Sequence, residues 1–326
     1  MRKQHACTIA MLLVAGIAGT AGFAAAQTYP VRPVMIVVPF AAGGGNDMMA
    51  RMLAQHMSRA LGQQFVIDNR AGAAGTLGAR AVAKATPDGH TLMVGHSGVF
   101  GVAPSLYGNA GYDPRKDFAP IGLIASFQQI LVVHPSLPVH SVKDLLALAR
   151  KEPGKITYAT AGIGSGSHIS TELFTSMADV KLTHVPYRGS GPAQGDLVAG
   201  HVLTAITTVP PAIAQIRGGL LRAIAVTGDK RLPILPDVPT VAESGVPGYV
   251  AVIHYGMVAP AGTPRPIVER LNAELNIALK SDDVRARIAD EGGEPLAGTP
   301  EQQAADIDAE ETKWGALVRK LGLKAE

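Results

Sequence analysis

Cysteine is all but missing. The one copy, Cys7, lies in the first apolar stretch of the 326-residue chain, without the Leu-small-small context that precedes a lipidated bacterial cysteine. Everything after it has neither disulfides nor thiol chemistry, so stability must come from a core that a chain of this size is able to bury. Aromatic residues are scarce at 5%, and Trp314 is the one tryptophan, which argues against a carbohydrate receptor that stacks sugars on several indole faces. Charge is nearly balanced: removing Arg2 and Lys3 from a formal +3 leaves about +1. That is no footprint for nucleic acid or an anionic membrane surface, both of which need clustered basic residues. No long hydrophobic run follows the N-terminal segment, so none reaches the roughly 18 apolar residues of a membrane span and direct membrane insertion is not expected.

What is present begins with an address. Arg2 and Lys3 precede the apolar "ACTIAMLLVAGIAGTAGF", and Ala24, Ala25 and Ala26 stand just before Gln27. A basic start, an apolar middle and an A-x-A site describe a cleaved secretory signal peptide over 1–26. The expected product is an exported chain of about 300 residues, the expected compartment the periplasm, and the length favours two domains over one.

Short apolar runs alternate with helical patterns along the mature chain. "VMIVVPF", "QFVIDN" and "TLMVGHS" read as strands around the helices "MMARMLAQHMSRALG" and "GTLGARAVAKA", and "KITYATA", "LTHVPY", "LTAITTV" and "LRAIAVTG" repeat the pattern later. That alternation predicts parallel α/β sheet with helices on its faces. After "YVAVIHYGMVAP" the chain turns almost wholly helical, and those helices need a sheet to cover. A return to the first unit would supply it. The segments "GLIASFQQILVVHP" and "YVAVIHYGMVAP" are then two crossing strands, with 27–125 and 250–326 forming lobe 1 and 126–249 forming lobe 2.

The segment "PFAAGGGND", Pro39 to Asp47, sits where the first strand passes to the first helix. Glycines there suit an anion, because a helix start offers unpaired N–H groups and the positive end of its dipole, and they equally suit a tight turn that binds nothing. Neither nucleotide pattern fits: the Walker Lys is missing, and so is the third Gly of a dinucleotide fingerprint. No cofactor is implied.

The motifs "YPVRPVMIVVPFAAGGGNDMMAR", "NRAGAAGTLGA", "ATPDGHTLMVG", "YDPRKDFAPIGLIA", "ITYATAGIGSGSH", "HVPYRGSGPA", "LPDVPTVAESGVPGY" and "APAGTPRPIVERLNAEL" resemble, in this order, the Bug family of periplasmic solute-binding proteins, the TctC-like receptors of tripartite tricarboxylate transporters. The resemblance runs from about residue 28 to 323. It implies an α/β type II periplasmic binding protein fold, two lobes that close on a small organic acid and present it to membrane permease subunits. A monomer is expected, because the rim of such a cleft must stay exposed.

The same resemblance implies where the acid is held. From lobe 1 come Phe40, Ala42, Gly43, Gly44, Asn46 and Asp47, the turn Ala73, Ala74 and Gly75, and the loop Gly95, His96 and Ser97. Lobe 2 supplies Thr160, Gly162, Gly164, Ser165, Gly166, Ser167 and His168, with Tyr187, Arg188, Gly189 and Ser190. Fixed N–H groups suit a carboxylate, since burying one unpaired costs many kcal/mol. Two departures bear on the ligand. Many relatives carry Asp-Asn where this chain has Thr207-Thr208, which weakens the case for an amino acid, and many carry Trp-Phe at His254-Tyr255. His254 is a candidate donor to a second carboxylate, or a hinge histidine satisfied by backbone.

Several residues also have plain structural readings. Asp47 suits a helix cap beside the positive dipole end as well as a ligand contact, and His168 suits a helix start. The histidines form no H-E-x-x-H or close His/Cys cluster, so no metal is expected. "GHSGV" approaches the nucleophile elbow of a hydrolase but has Val99 where the template requires Gly, and catalysis is not expected. A periplasmic sensor subunit for a two-component system would use the same fold, and the sequence does not separate it from a transport receptor.

Overall fold

The computed structural model describes residues 29–324; the predicted signal peptide, 1–26, lies outside the described residues. The chain runs β1 (Val34–Val38), α1 (Gly45–Leu61), β2 (Phe65–Asn69), a 3-10 turn (Ala73–Gly75), α2 (Thr76–Ala83), β3 (Thr91–His96), a π-turn (Gly98–Val102), α3 (Ala103–Leu106) and β4 (Phe118–Val133). There follow α4 (Val142–Lys151), β5 (Thr157–Thr160), α5 (Gly166–Ala178), β6 (Thr183–Pro186), α6 (Ser190–Val198), β7 (Thr204–Thr208), α7 (Val209–Arg217) and β8 (Arg222–Val226). The chain then passes through β9 (Val252–Pro260), α8 (Arg265–Lys280), α9 (Asp282–Asp290), β10 (Gly293–Pro295) and α10 (Pro300–Leu321).

Local chemistry accounts for these elements. Val34, Ile36, Val37 and Val38 are buried along β1, as a β-branched run between two covering layers should be. Helix α1 buries Met49, Ala50, Leu53, Ala54, Met57 and Leu61 on one face and stops at Gly62, whose φ of 70° ends a helix at little cost. Helix α10 starts with a reciprocal cap between Thr299 and Gln302, and Pro300 stands in its first turn.

The strands join in the order β2-β1-β3-β9-β4-β7-β5-β6, with β8 and β10 also pairing β4. The expected parallel pairing holds within each half, for β1 with β2 and β3 and for β5 with β6 and β7. It does not extend to the middle: β9 is antiparallel to β3 and β4, and β4 is antiparallel to β7 and β8. The reason is the path of the chain. Strand β4 leaves the first half and enters the second, while β9 brings the chain back beside it, so the two crossing strands must run in opposite directions.

Each half has its own core. Val34, Ile36, Val94, Ile124 and Met257 pack beneath α1, α8 and α9, which supply Leu53, Leu271, Leu275 and Ile288. In the second half Leu131, Val133, Leu145, Phe174, Ile206 and Tyr249 form another cluster, which Val102 and Leu106 of the first half also join. The C-terminal helices differ here from expectation. Helices α8 and α9 cover the first half, but α10 changes partners along its length: Ile307 packs with Val37 and Phe118, whereas Trp314, Leu317 and Val318 join Tyr249 and Ala251 in the second core. A helix of 22 residues spans about 33 Å, enough to reach both.

Leu271 is fully buried in the first core. We expect Leu271→Ala to lower the free energy of urea unfolding by about 2–5 kcal/mol, and Leu77→Ala, at a position 51% exposed, to change it by under about 0.5 kcal/mol.

Candidate functional site

The glycine loop after β1 is tied down from behind. Asp47 folds back so that its Oδ2 accepts the Gly43 N–H and Arg51 Nε, each at 2.9 Å, while its Oδ1 accepts Asn69 Nδ2 at 3.0 Å. Asn69 also donates to the Phe40 carbonyl at 3.2 Å. The Asp47 carboxylate is thus occupied by the protein, and its bond to Arg51 holds its pKa down at about 2, with Gly43 and Asn69 contributing against the cost of burial. Asn46 is likewise turned inward and donates to the Val94 carbonyl at 3.0 Å. Ala42, Gly43, Gly44 and Gly45 remain exposed, and no side chain caps α1 at its N-cap Gly44. The face that is left open is main chain.

Beside this loop, Phe40 stacks on His96 with centroids 4.5 Å apart. His96 Nδ1 accepts the Gly98 N–H at 2.8 Å, so the neutral ring carries its proton on Nε2, and burial lowers its pKa to about 4. Ser97 Oγ accepts the His254 N–H at 3.0 Å. The turn at Ala73 and Ala74 has φ of 48° and 51° and is followed by Gly75 at 90°. Left-handed backbone at each alanine costs on the order of 1 kcal/mol, a strain the surrounding structure must offset.

The second loop, Ala161 to His168, is also braced internally. Ser167 Oγ accepts the Ala161 N–H at 3.0 Å, Thr160 Oγ1 the Gly162 N–H at 3.2 Å, and His168 Nδ1 the Gly164 N–H at 3.2 Å. Ser165 caps α5 through the His168 N–H. His168 is buried and stacks on His184 at a centroid separation of 4.4 Å, His184 in turn stacking on Tyr158 at 4.9 Å, and burial, followed by His184, brings its pKa down to about 4. Tyr187 and Gly189 join this loop through N–H bonds to the carbonyls of Thr160 and Ala161. The Tyr187 hydroxyl turns away to Asp196 at 2.7 Å, while Arg188 and Ser190 are exposed.

The structure brings the two loops against each other. A β-carbon at Gly164, φ 77°, would fall 2.5 Å from Leu106 Cδ2 and 3.8 Å from Ala74 Cβ, so the second loop closes directly over the strained turn of the first half. A β-carbon at Gly166 would stand equally close to Ile253 of β9, 2.5 Å from its Cδ1. At another point one at Gly292 would stand 3.0 Å from Val209 at the start of α7. Between the halves lies a small pocket lined by His96, Ser97 and Gly98 on one side and Gly166, Ile169 and Ser170 on the other.

Other expected residues stand apart from these contacts. Thr207 pairs with Ile130 across the sheet, and Thr208 starts α7. His254 points to α10, where its Nδ1 lies 2.6 Å from Asp306 Oδ1, so a carboxylate, in place of backbone, satisfies this histidine. Burial alone would lower its pKa; the hydrogen bond and charge of Asp306 raise it above the ordinary value.

Three contributors escaped sequence reading. Tyr255 presses its hydroxyl on Gly45, Gln129 accepts a 2.6 Å bond from Ser170 Oγ, and Phe127 lies edge-on to Tyr255. The alternation of β9 was the available signal: with His254 facing α10, Tyr255 must face the opposite side. Among the described residues no cluster of three His, Cys, Asp or Glu side chains could hold a metal, and no helix is long and apolar enough to cross a membrane.

Asp47 supplies a test of this loop architecture. Because its folded pKa is depressed, its contribution is present above the unfolded value near 3.8 and lost as pH falls toward 2. We expect Asp47→Asn to cost about 1–2 kcal/mol at pH 7 and to lose less stability than wild type across that acid window, both measured by urea unfolding.

Comparison with known proteins identifies the family. Residues 49–323 match the model of the tripartite tricarboxylate transporter family receptor, TctC. The protein BugT of Bordetella pertussis is 39% identical over 96% of this chain and 98% of its own. A Pseudomonas sp. strain P51 protein encoded in the tcbD-tcbE intergenic region is 41% identical, covering 92% of this chain and 89% of its own. Among solved structures, R. palustris Rpa4515 with adipate superimposes with a TM-score of 0.82 at 40% identity, over 91% of this chain and 99% of that one. MatC from Rhodopseudomonas palustris with bound malate gives 0.79 at 38% identity, over 89% and 100%. The fold is accordingly the two-lobed α/β fold of periplasmic solute-binding proteins, and the chain belongs to the Bug/TctC family of solute-binding receptors.

Proposed function

We propose that this protein captures a small organic carboxylate between its two glycine loops and delivers it to the permease subunits of a tripartite tricarboxylate-type transporter in the periplasm. One observation carries the reading: Gly164 of the second loop lies against Ala74 and Leu106 of the first half, while the polar side chains of both loops are mostly consumed in bracing them. What faces the gap is main-chain N–H at helix starts, a donor set suited to an anion and poor for a sugar or an ammonium group. Adipate and malate in the two R. palustris relatives support the choice of ligand class.

In this reading Ala42, Gly43, Gly44, Gly45, Gly164 and Gly166 present backbone, and Phe40, His96 and Ser97 form one wall. Ala73, Ala74 and Gly75 form the rim that meets Gly164. Asp47, Thr160, Ser165, Ser167 and His168 position the loops and do not touch the acid. Arg188 and Ser190 are exposed and stand outside the braced part of the second loop. The moving bodies are 27–125 with 250–326, and 126–249, with the end of α10 packed in the second core as a tie between them. Contacts made by both lobes exist only when closed, so ligand binding shifts the population toward closure. The receptor acts as a monomer.

A thermal-shift panel of mono-, di- and tricarboxylates, amino acids and sugars tests the ligand class. A binder at a hundredfold its Kd should stabilise the protein by about 2.7 kcal/mol, and X-ray scattering should show compaction with the same acid. A response confined to sugars overturns the proposal. Gly164→Ala, which places a methyl on Leu106 at a left-handed position, should weaken acid binding by at least about tenfold through impaired closure, read by calorimetry.

A further inference from the structure

Tyr255 stands on the crossing strand β9, and its ring reaches the first turn of α1. A β-carbon at Gly45 would lie 2.8 Å from the Tyr255 hydroxyl oxygen, so the absence of a side chain there is what admits the phenol. Two aromatic contacts fix the ring: His96 at 5.5 Å and Phe127 at 5.1 Å, each close to perpendicular. Phe127 is itself seated on Gly293, where a β-carbon would fall 2.6 Å from Phe127 Cε1. The phenol is therefore braced from both sheet neighbours, since His96 and Ala125 are the register partners of Tyr255 in β3 and β4.

Its hydroxyl forms no hydrogen bond among the described residues, although the residue is half-buried and the oxygen is not sealed from solvent. Burial, reinforced by Glu291, keeps the phenol protonated. A rigid O–H donor thus lies beside a helix start that no side chain caps. Most other polar side chains around the two loops already have partners within the protein.

We propose that Tyr255 is a specificity-determining residue, whose hydroxyl donates directly to one oxygen of the bound carboxylate alongside the first-turn N–H groups of α1. The inference rests on the carboxylate-binding reading above and adds a side-chain donor to it. A phenol held in place loses little freedom when it binds, so its contribution falls on affinity for groups that accept a hydrogen bond at that point. Replacing the acid by a group that cannot accept there leaves the hydroxyl unpaired.

The test is calorimetric titration of wild type, Tyr255→Phe and Gly45→Ala with adipate, malate and the acids that respond in the panel, alongside the melting temperature of each ligand-free protein. Tyr255→Phe should raise Kd about tenfold while the ligand-free melting temperature stays within about 2 °C. Gly45→Ala should raise Kd at least as much, because it displaces the hydroxyl. An unchanged Kd in Tyr255→Phe, with wild type binding an acid, overturns the role of Tyr255 and leaves the carboxylate reading intact. A raised Kd matched by a large fall in ligand-free melting temperature also overturns it, since a merely structural ring would behave that way. Wild type binding no carboxylate overturns both.

Discussion

Strand β4 runs 16 residues without a break, and its two ends belong to different halves of the molecule. Phe118 to Gln128 pair with β9, and Gln129 to Val133 pair with β7. This antiparallel crossing constrains everything around it. It sets the opposite direction of the return strand, and it places the ends of β1 and β5 on a common side, where their following loops meet. Register shifts near Pro120 and Leu123 in the pairing with β9, and near Leu131 in the pairing with β8, show where the shared strand twists to serve both halves.

Given that crossing, the carboxylate proposed above would set the two loops a shared electrostatic problem. An anion brought between them loses its water and needs several donors in return, yet a lysine or arginine in the gap would itself require burial. In that reading the loops spend side chains on architecture and keep backbone for the gap. Asp47, Asn69 and Arg51 fasten the first loop; Thr160, Ser165, Ser167 and His168 fasten the second. Two histidines beside these loops, His96 and His168, are neutral and both accept from a glycine N–H. They act as fixed acceptors that shape the backbone, which is a different use from the proton exchange usually sought in a histidine near a site.

Much of this was legible in the sequence. Alternation of "VMIVV", "QFVIDN" and "TLMVGH" with helical patterns marked the strands correctly, and "GLIASFQQILVVHP" and "YVAVIHYGMVAP" were recognisable as crossings because the helical tail needed a sheet to return to. The facing of the two loops followed from family resemblance and could not have come from spacing. What stayed hidden depends on direction. The inward turn of Asn46, Asp47 and His168 is a rotamer choice made by partners distant in sequence, such as Val94, Asn69 and His184. His254 and Tyr255 are adjacent, and one residue of register decides which faces α10 and which faces α1. Composition gives no hint of that choice.

Helix α10 completes the argument because it touches both halves and the strand between them. Its first part packs on the π-turn and on Ile307's neighbours in the first half; Asp306 holds His254 of β9; and Lys313 Nζ donates to the Val250 carbonyl at 2.8 Å. Its last turns lie in the second core, where Trp314 also donates to Glu310 at 2.8 Å. Gly101 is pressed on the Glu310 carbonyl and the Trp314 ring, with 2.8 Å to each from where a β-carbon would stand. A helix anchored at three such places resists any relative motion that would strip Trp314 from its core, so the proposed opening would have to bend the crossing strands within the range that α10 tolerates. For the closure proposed above, the hinge is then a three-element joint of β4, β9 and α10, its limits set by close packing at Gly101 and Trp314 as much as by the strands themselves.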